Sequence, residues 1–408
     1  VKLAVIVTEF PKSTETFIYR DLVKFVEAGV DVRLYHLTPF RRDQTLHGFA
    51  APLKERAVDL RFWQPRALFR ALLRRPRSLI SAVARMLWAY RHHPKIAAKS
   101  LALVPKALAI AEDARAFGAS HVHAEFAGHP ATAAWIGRHA GGLPYSVSCR
   151  AHDIFRTQAL LAEKLGEAAA IRTVSNFGRA FLRERIPAIA HLPIDVIHSS
   201  VDVGRIVPVD TMSSTTPFQI LYVGALEPKK GVDHLLDALV LAAPKLGDWT
   251  CRLIGHGPDA EALCSRAAAL GLGDRVRFLG MQPFEAVAEA YRSASVCVAP
   301  SIIGRNGRQE GIPNVMIEAL AYQRPAITTA ISGIPELIRH CDTGLLVPPG
   351  DPAGLAEALL RVHRDPEAAL AMARRGRAHV AMEFDLAVNT RRQLDLFFPG
   401  RTPAALVQ

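Results

Sequence analysis

The 408-residue chain is half hydrophobic and about a fifth charged, which places it among soluble globular proteins and calls for two domains. Nothing approaches 18 uninterrupted apolar residues, so no helix of this sequence should span a bilayer. The five cysteines, Cys149, Cys251, Cys264, Cys297 and Cys341, are scattered with no CxxC pair, which argues against a zinc site or disulfide framework and for a reducing cytoplasm. The net charge of +12 belongs to the first half: residues 1–202 hold 29 Lys/Arg against 17 Asp/Glu, while residues 203–408 hold 21 of each.

In chain order, Lys2 and the apolar run Leu3–Val7, ended by Thr8 and Glu9, are too short for a secretory core and read as a first buried strand. A helical pattern covers Thr16–Ala28. Glu15 and Thr16 at its start are placed to bind phosphate or to cap the helix. The strand Asp31–Leu37 follows. From Leu60 to Ala111 there are eleven basic residues and no acid. There Arg66, Arg70, Arg74, Arg77 and Arg85 mix with Phe62, Trp63, Leu68, Phe69, Leu72, Leu73, Met86, Leu87 and Trp88, interrupted by Pro65, Pro76 and Pro94. Such a field attracts anionic surfaces. No aromatic-rich nucleic-acid motif accompanies it, so an anionic membrane surface is the expected partner and nucleic acid is not.

Further strands are expected at His121–Phe126, Tyr145–Cys149, Ile171–Val174 and Ile194–Ile197. The second half repeats the pattern with Gln219–Val223, Thr250–Ile254, Val276–Leu279, Val296–Val298, Ala326–Thr329 and Thr343–Val347, with helices such as Gly231–Ala242 and Asp259–Leu270 between them. Strand–helix alternation of this kind gives parallel sheets covered by helices on both faces. The Pro- and Ser/Thr-rich segment at residues 203–217 reads as the linker between a domain at 1–202 and one at 218–380, followed by a helical tail at 381–408 that packs back on the first domain. Ligands of open α/β sheets bind beyond the carboxyl ends of the strands, and two such sheets facing each other would share one cleft.

One loop of this kind holds the densest chemistry. After Val296–Val298 come Pro300–Ser301 and then Arg308-Gln309-Glu310-Gly311-Ile312-Pro313-Asn314-Val315-Met316-Ile317-Glu318-Ala319. Pro313 suits the first turn of a helix, with Glu310 just ahead of it and Glu318 on the second turn. Backbone N–H groups from Gly311 to Asn314 would then point at a diphosphate. Glu318 can accept two hydrogen bonds from a ribose diol, and Glu310 lies nearer the sugar end. The plain alternative is a pair of acids favoured by the helix dipole.

The spacing of Glu310 and Glu318 resembles the E-x7-E motif of family 4 of the retaining glycosyltransferases. The resemblance continues, in order, at Gln219–Gly224, Pro228-Lys229-Lys230-Gly231-Val232, Ile254-Gly255-His256-Gly257-Pro258, Gly333-Ile334-Pro335-Glu336-Leu337 and Thr343-Gly344-Leu345-Leu346-Val347. In the first half, Phe10-Pro11-Lys12-Ser13-Thr14-Glu15-Thr16-Phe17-Ile18, Gly29-Val30-Asp31-Val32, His121-Val122-His123-Ala124-Glu125-Phe126-Ala127, Ala151-His152-Asp153-Ile154 and Val174-Ser175-Asn176-Phe177 look like the branch that builds exopolysaccharides such as colanic acid. The resemblance implies two Rossmann-like domains facing across a cleft (the GT-B fold) and a nucleotide-diphosphate sugar held mainly by the second domain. It further implies a glycan or lipid-linked acceptor, retention of configuration, no metal and no other cofactor.

It also implies roles. Lys230 would stabilise the departing diphosphate with Lys229 beside it, Glu310 and His152 would face the reacting sugar, and Glu318 would hold the ribose. Gly224, Gly255, Gly257, Arg308, Gly311, Ile312, Pro313 and Asn314 would complete the donor site, while Glu15, Thr16 and Asp153 would serve the acceptor. Ala225 stands where the family usually has arginine, and Arg305 or Arg308 are the candidates to replace it. His121, His123 and Glu125 alternate along one strand face, where a metal is conceivable but packing is the better expectation. No residue reads as a covalent nucleophile, in keeping with a front-face substitution. The location implied is the cytoplasm, at the inner face of the membrane. An epimerase on the same fold, or a nucleotide-binding scaffold without turnover, are the alternatives.

Overall fold

The structure, a computed structural model, describes residues 1–400 except 13–14, 42–47, 156, 212–216 and 305–308, and describes only the backbone of His152. It divides into two compact units, Val1–His198 joined by the chain from Leu386 onward, and Ser199–Asp385.

The first unit is built on a seven-stranded parallel sheet. Its strands are β1 (Lys2–Val7), β2 (Asp31–His36), β3 (Ala57–Val58), β4 (His121–Glu125), β5 (Tyr145–Cys149), β6 (Ala170–Thr173) and β7 (Asp195–Val196), in the order β3-β2-β1-β4-β5-β6-β7. Between them run α1 (Thr16–Glu27), α2 (Pro65–Arg74), α3 (Pro76–Ala89), α4 (Pro94–Phe117), α5 (His129–His139), α6 (Ala151–Ile154), α7 (Leu161–Gly166) and α8 (Asn176–Arg185). Alternation along β1 sends Leu3, Val5 and Val7 into one core and Ala4 and Ile6 into the other, so both faces are covered.

Pro65, Pro76 and Pro94 do not interrupt the basic stretch. Each opens a helix, where a missing N–H leaves nothing unpaired. The inward faces of α2 and α3 are small or slender (Ala67, Ala71, Leu79, Ala82, Met86), and the large apolar residues point outward. Trp63, Phe69, Leu73 and Trp88 are 66%, 64%, 68% and 70% exposed.

The second unit carries a six-stranded parallel sheet of β8 (Phe218–Val223), β9 (Trp249–Ile254), β10 (Val276–Gly280), β11 (Val296–Ala299), β12 (Ala326–Thr329) and β13 (Leu345–Val347), ordered β10-β9-β8-β11-β12-β13. Helices α9 (Val232–Leu246), α10 (Ala260–Ala269), α11 (Phe284–Ser293), α12 (Asn314–Ala321), α13 (Ile334–Leu337), α14 (Pro352–Arg364) and α15 (Pro366–Glu383) cover it. Ile220 and Tyr222 face one core and Leu221 the other.

The segment read as a linker is tied to this second unit. Arg377 donates to the Ile206 carbonyl at 3.0 Å, and Arg324 to those of Val209 (2.6 Å) and Thr211 (3.1 Å). The chain then returns to the first unit as α16 (Leu386–Phe397), which packs on α1. Gln393 on α16 accepts from the buried Arg172 at 2.6 Å and donates to the buried Asp21 at 3.2 Å. Buried charges with such partners hold a unique docking position, because separation would strand them.

Candidate active site

In the second sheet the chain order reverses between β8 and β11, so the loops leaving these strands diverge and open a crevice. The loop after β8 runs into a 3₁₀ turn at Pro228–Lys230, followed by Gly231 with φ +65°. A Cβ at Gly231 would fall 2.0 Å from the Pro300 carbonyl oxygen, so only glycine fits. The Ile302 N–H donates to the Lys229 carbonyl at 2.9 Å. These two contacts staple the lysine turn to the segment leaving β11.

Glu310 is thereby brought to the lysines. Its Oε2 lies 2.7 Å from Lys230 Nζ and 3.8 Å from Lys229 Nζ, and Lys229 also reaches Glu227 at 3.3 Å. Only 16% of the Glu310 side chain is exposed. Burial pushes its pKa up, but the Lys230 and Lys229 ammoniums outweigh burial and hold it below the ordinary carboxylate value. Glu310 is a carboxylate at neutral pH, and Lys230 is its partner.

The glycines after β8 and β9 have a backbone reason of their own. A Cβ at Gly255 (φ +139°) would lie 1.9 Å from the Gly224 oxygen, and one at Gly257 2.2 Å from the Leu226 oxygen. The Gly224 N–H donates to Ile254 and the Leu226 N–H to His256, at 2.9 and 3.1 Å. This loop-on-loop packing accounts for Gly255 and Gly257 without a ligand, and it fixes Gly224 at the crevice. Exposed Ala225 offers only its carbonyl, which accepts from the Tyr222 hydroxyl at 2.7 Å.

Pro313 stands one residue ahead of its expected place: with ψ 120° it precedes α12, and Asn314 is the first helical residue. Gly311, Ile312 and Asn314 are half-buried there, with Pro313 buried. Glu318, on α12, has Oε2 at 3.2 Å from the Tyr291 hydroxyl, which also lies 3.1 Å from the Val315 carbonyl. Tyr291 stacks on Tyr322 at 5.2 Å and orients this carboxylate. Nothing in the motif spacing points to that tyrosine, which comes from α11. Arg305, Arg308 and the His152 side chain lie outside the described residues.

The first sheet has its own reversal, between β1 and β4. Beyond it lies a cavity of about 650 Å³, lined from the β1 loop by Glu9, Lys12 and Glu15, from the β4 loop by Phe126 to Pro130, and by Asp153. Glu15 precedes α1 but its side chain does not cap the helix, which corrects the capping alternative. Instead one oxygen pairs with Lys12 Nζ at 2.8 Å, and the other is buried without a partner among the described residues. Burial pushes the Glu15 pKa up despite Lys12. Thr16 opens α1, half-buried, and is not among the cavity-lining residues.

Both Asp153 oxygens take backbone N–H groups, from Ala127 and, at 2.8 Å, from Arg150. Burial raises its pKa to about 6 against those bonds. Asp153 therefore ties the loops after β4 and β5 together.

His121 and His123 are interior. Both ring systems reach the Ser146 hydroxyl, at 2.8 and 2.7 Å, and both pack on Phe397 of α16. Burial, aided by the neighbouring His123, lowers the His121 pKa to about 3. Glu125 pairs with Arg150 at 3.2 Å. Among the described residues no three potential ligands are grouped to hold a metal ion.

Comparison with known proteins bears on the fold and on the second unit. Residues 217–365 match the family model described as glycosyl transferases group 1. The chain is 25% identical, over 97% of its own length and 99% of the other's, to the putative colanic acid biosynthesis glycosyltransferase WcaL of Escherichia coli. It is 34% identical to the amylovoran biosynthesis glycosyltransferase AmsK of Erwinia amylovora, over 44% of each chain. Among solved structures, sucrose-phosphate synthase from Thermosynechococcus elongatus superposes with a TM-score of 0.69 at 21% identity, covering 96% of this chain and 97% of that one. Anabaena HepE in complex with UDP gives 0.69 at 17% identity, covering 96% and 98%. Residues 217–365, in the second unit, thus match a group 1 glycosyl transferase domain, and the fold of the chain is that of the GT-B class, with two Rossmann-like domains.

Proposed function

We propose that the chain transfers a sugar from a nucleotide-diphosphate donor to a glycan or lipid-linked acceptor, with retention of configuration, in the synthesis of a bacterial surface polysaccharide. The observation that carries this reading is the Lys230–Glu310 pair, stapled by Gly231 beside the start of α12. Departure of the sugar leaves charge on a diphosphate. Fixed cations and helix-terminal N–H groups stabilise that charge in the transition state without reorganising. Lys230 is the principal cation, doing the work for which other transferases use a metal. Glu310, kept ionised, orients the sugar hydroxyls, and Glu318 braced by Tyr291 accepts from the ribose diol. WcaL and AmsK are named for exopolysaccharide pathways, and HepE was solved with UDP, which supports a nucleotide sugar as donor.

The first unit would take the acceptor, and its helical layer would bring it to an anionic membrane surface on the cytoplasmic side. Phe69, Leu73 and Trp88 project from the same helices as Arg66, Arg74 and Arg77, and Trp63 from the segment just before α2. Arg85 does not join them: it pairs with Glu167 at 3.0 Å and lies over Trp135. No helix among the described residues is long and apolar enough to cross a membrane.

A donor screen tests the central reading. The purified chain is incubated with nucleotide sugars and extracted membrane glycolipids, and products are identified by mass spectrometry and proton NMR. Acceptor-dependent release of one nucleoside diphosphate, with the donor's anomeric configuration kept in the product, is expected. Accumulation of an epimerised nucleotide sugar, or binding without turnover across the panel, would contradict it.

A further inference from the structure

The loop after β4 is held in a conformation that its sequence does not favour. Phe126 has φ +82°, in the left-handed region, which a bulky residue occupies only under constraint. The constraint lies at Ala127, which is gripped on both sides. Its N–H donates to Asp153 on α6, and its carbonyl accepts from the Lys164 ammonium on α7 at 2.5 Å. Asp153 is steadied in turn by the Arg150 N–H on its other oxygen, at 2.8 Å. Lys164 also reaches the Gly128 carbonyl at 3.3 Å and the Tyr90 hydroxyl at 3.5 Å. It is 1% exposed and has no carboxylate partner among the described residues. A buried ammonium that holds only neutral oxygens is a costly way to tie two loops together. The helix that carries it, α7, starts from a second left-handed residue, Leu160, with φ +62°.

Strain of this kind survives where the surroundings over-determine it, and it clusters at ligand sites. The place fits. Phe126, Ala127, Gly128, Asp153 and Lys164 all line the cavity of the first unit. Glu15 lines it too; it is 8% exposed, and one of its oxygens has no partner among the described residues. Buried polar atoms are normally hydrogen-bonded, so an oxygen left over in a cavity is matched by a donor on whatever fills it.

We infer that Asp153 and Lys164 are positioning residues. By gripping Ala127 they keep Phe126 left-handed, and so hold the wall at residues 126–128 in the shape that seats a ligand hydroxyl on Glu15. Naming that ligand the sugar acceptor rests on the glycosyl-transfer reading above; the grip on the turn does not. With one grip removed, the other must carry the strain alone, and Phe126 returns to a negative φ. A glycine at this position has no strain to release, so a single grip is enough to hold it.

Crystal structures of Asp153→Ala and Lys164→Met, on the full chain, test the grip without any turnover. Both should show Phe126 at negative φ, whereas F126G/D153A should keep residue 126 left-handed. Should Asp153→Ala not fold, Asp153→Asn, which keeps one acceptor oxygen, takes its place in each comparison. Steady-state kinetics with extracted membrane glycolipids and the donor found in the screen above test the positioning. Each single variant should raise KM for the glycolipid about tenfold or more, the loss expected when a hydrogen bond to a carboxylate is misplaced, and leave KM for the donor unchanged. In the F126G background Asp153→Ala should raise it by a smaller factor, because neighbours that share one strained turn are coupled. Phe126 left-handed in both single variants overturns the proposal. So does an equal rise of KM in the wild-type and F126G backgrounds, which would make the two residues plain supports of the fold. A failed donor screen leaves the crystal structures in place and so is a separate result.

Discussion

The two sheets share one strand order around their reversal points, β2-β1-β4-β5 and β9-β8-β11-β12, yet the sites beyond them are made differently. In the second unit backbone meets backbone: Gly231 on Pro300 and Gly255 on Gly224 leave no room for a side chain, and the functional groups are clamped where the loops meet. In the first unit the corresponding space is a cavity walled by side chains from α4, the β1 loop and residue 62. A clamped site should fail sharply when one group is changed. A side-chain-lined cavity should lose affinity by degrees.

The largest effect expected is at Lys230. Lys230→Ala removes the cation 2.7 Å from Glu310, which the proposed function makes the main stabiliser of the leaving diphosphate, and should lower kcat by roughly 10²–10³, the usual loss for such a donor. Turnover close to wild type would show that Lys229 or a residue outside the described set carries the charge. Gly231→Ala should come next. A left-handed residue with a side chain costs about 1–3 kcal/mol before the clash with Pro300 is counted, so both thermal stability and turnover should drop together. An unchanged melting profile would mean that the lysine turn is not clamped.

In the first unit a milder, pH-linked effect follows from His121. Its pKa is 6.5 in the unfolded chain and about 3 when folded, so between these values the unfolded state binds the extra proton. The contribution is fully present above pH 6.5 and is lost as pH falls, by up to about 1.4 kcal/mol per pH unit. Once the intrinsic exchange rate, which itself slows as pH falls, is divided out, protection of β4 amides should be lower at pH 5 than at pH 7, and His121→Gln should flatten that slope. The smallest single-site effect belongs to the basic helices. Arg66, Arg74 and Arg77 changed to Gln should each weaken sedimentation with phosphatidylglycerol vesicles by about 1 kcal/mol at low salt. Vesicle binding indifferent to anionic lipid would remove the membrane reading.

The same contrast explains what the sequence made legible. Close backbone approach pins glycine at fixed spacing, so Gly231, Gly255 and Gly257 were readable, and with them Lys230 and Glu310. Strands announced themselves by buried apolar runs, down to Tyr145–Cys149 and Ala326–Thr329 with their bounds intact. The two-residue edge strand β3 was not readable, since Ala57–Val58 carries no periodicity. Nor was Tyr291, whose role depends on α11 lying beside α12. Asp153 was placed near the acceptor, but its grip on Ala127 crosses from one strand loop to another and leaves no trace in local spacing. The cavity combines Phe62, Lys95 and Glu15, residues far apart in the chain that only the fold assembles.

The division of labour between the two carboxylates tests the account most directly. Calorimetric binding of a nucleoside diphosphate panel would be compared for wild type, Glu318→Ala and Glu310→Gln. At least one diphosphate should bind wild type, and Glu318→Ala should weaken it by about 1.5–3 kcal/mol for each charged hydrogen bond lost. Glu310→Gln should bind it nearly as wild type does while losing most of its turnover, because the proposed function assigns that carboxylate to the sugar. Equal binding by all three proteins would contradict the placement of both residues.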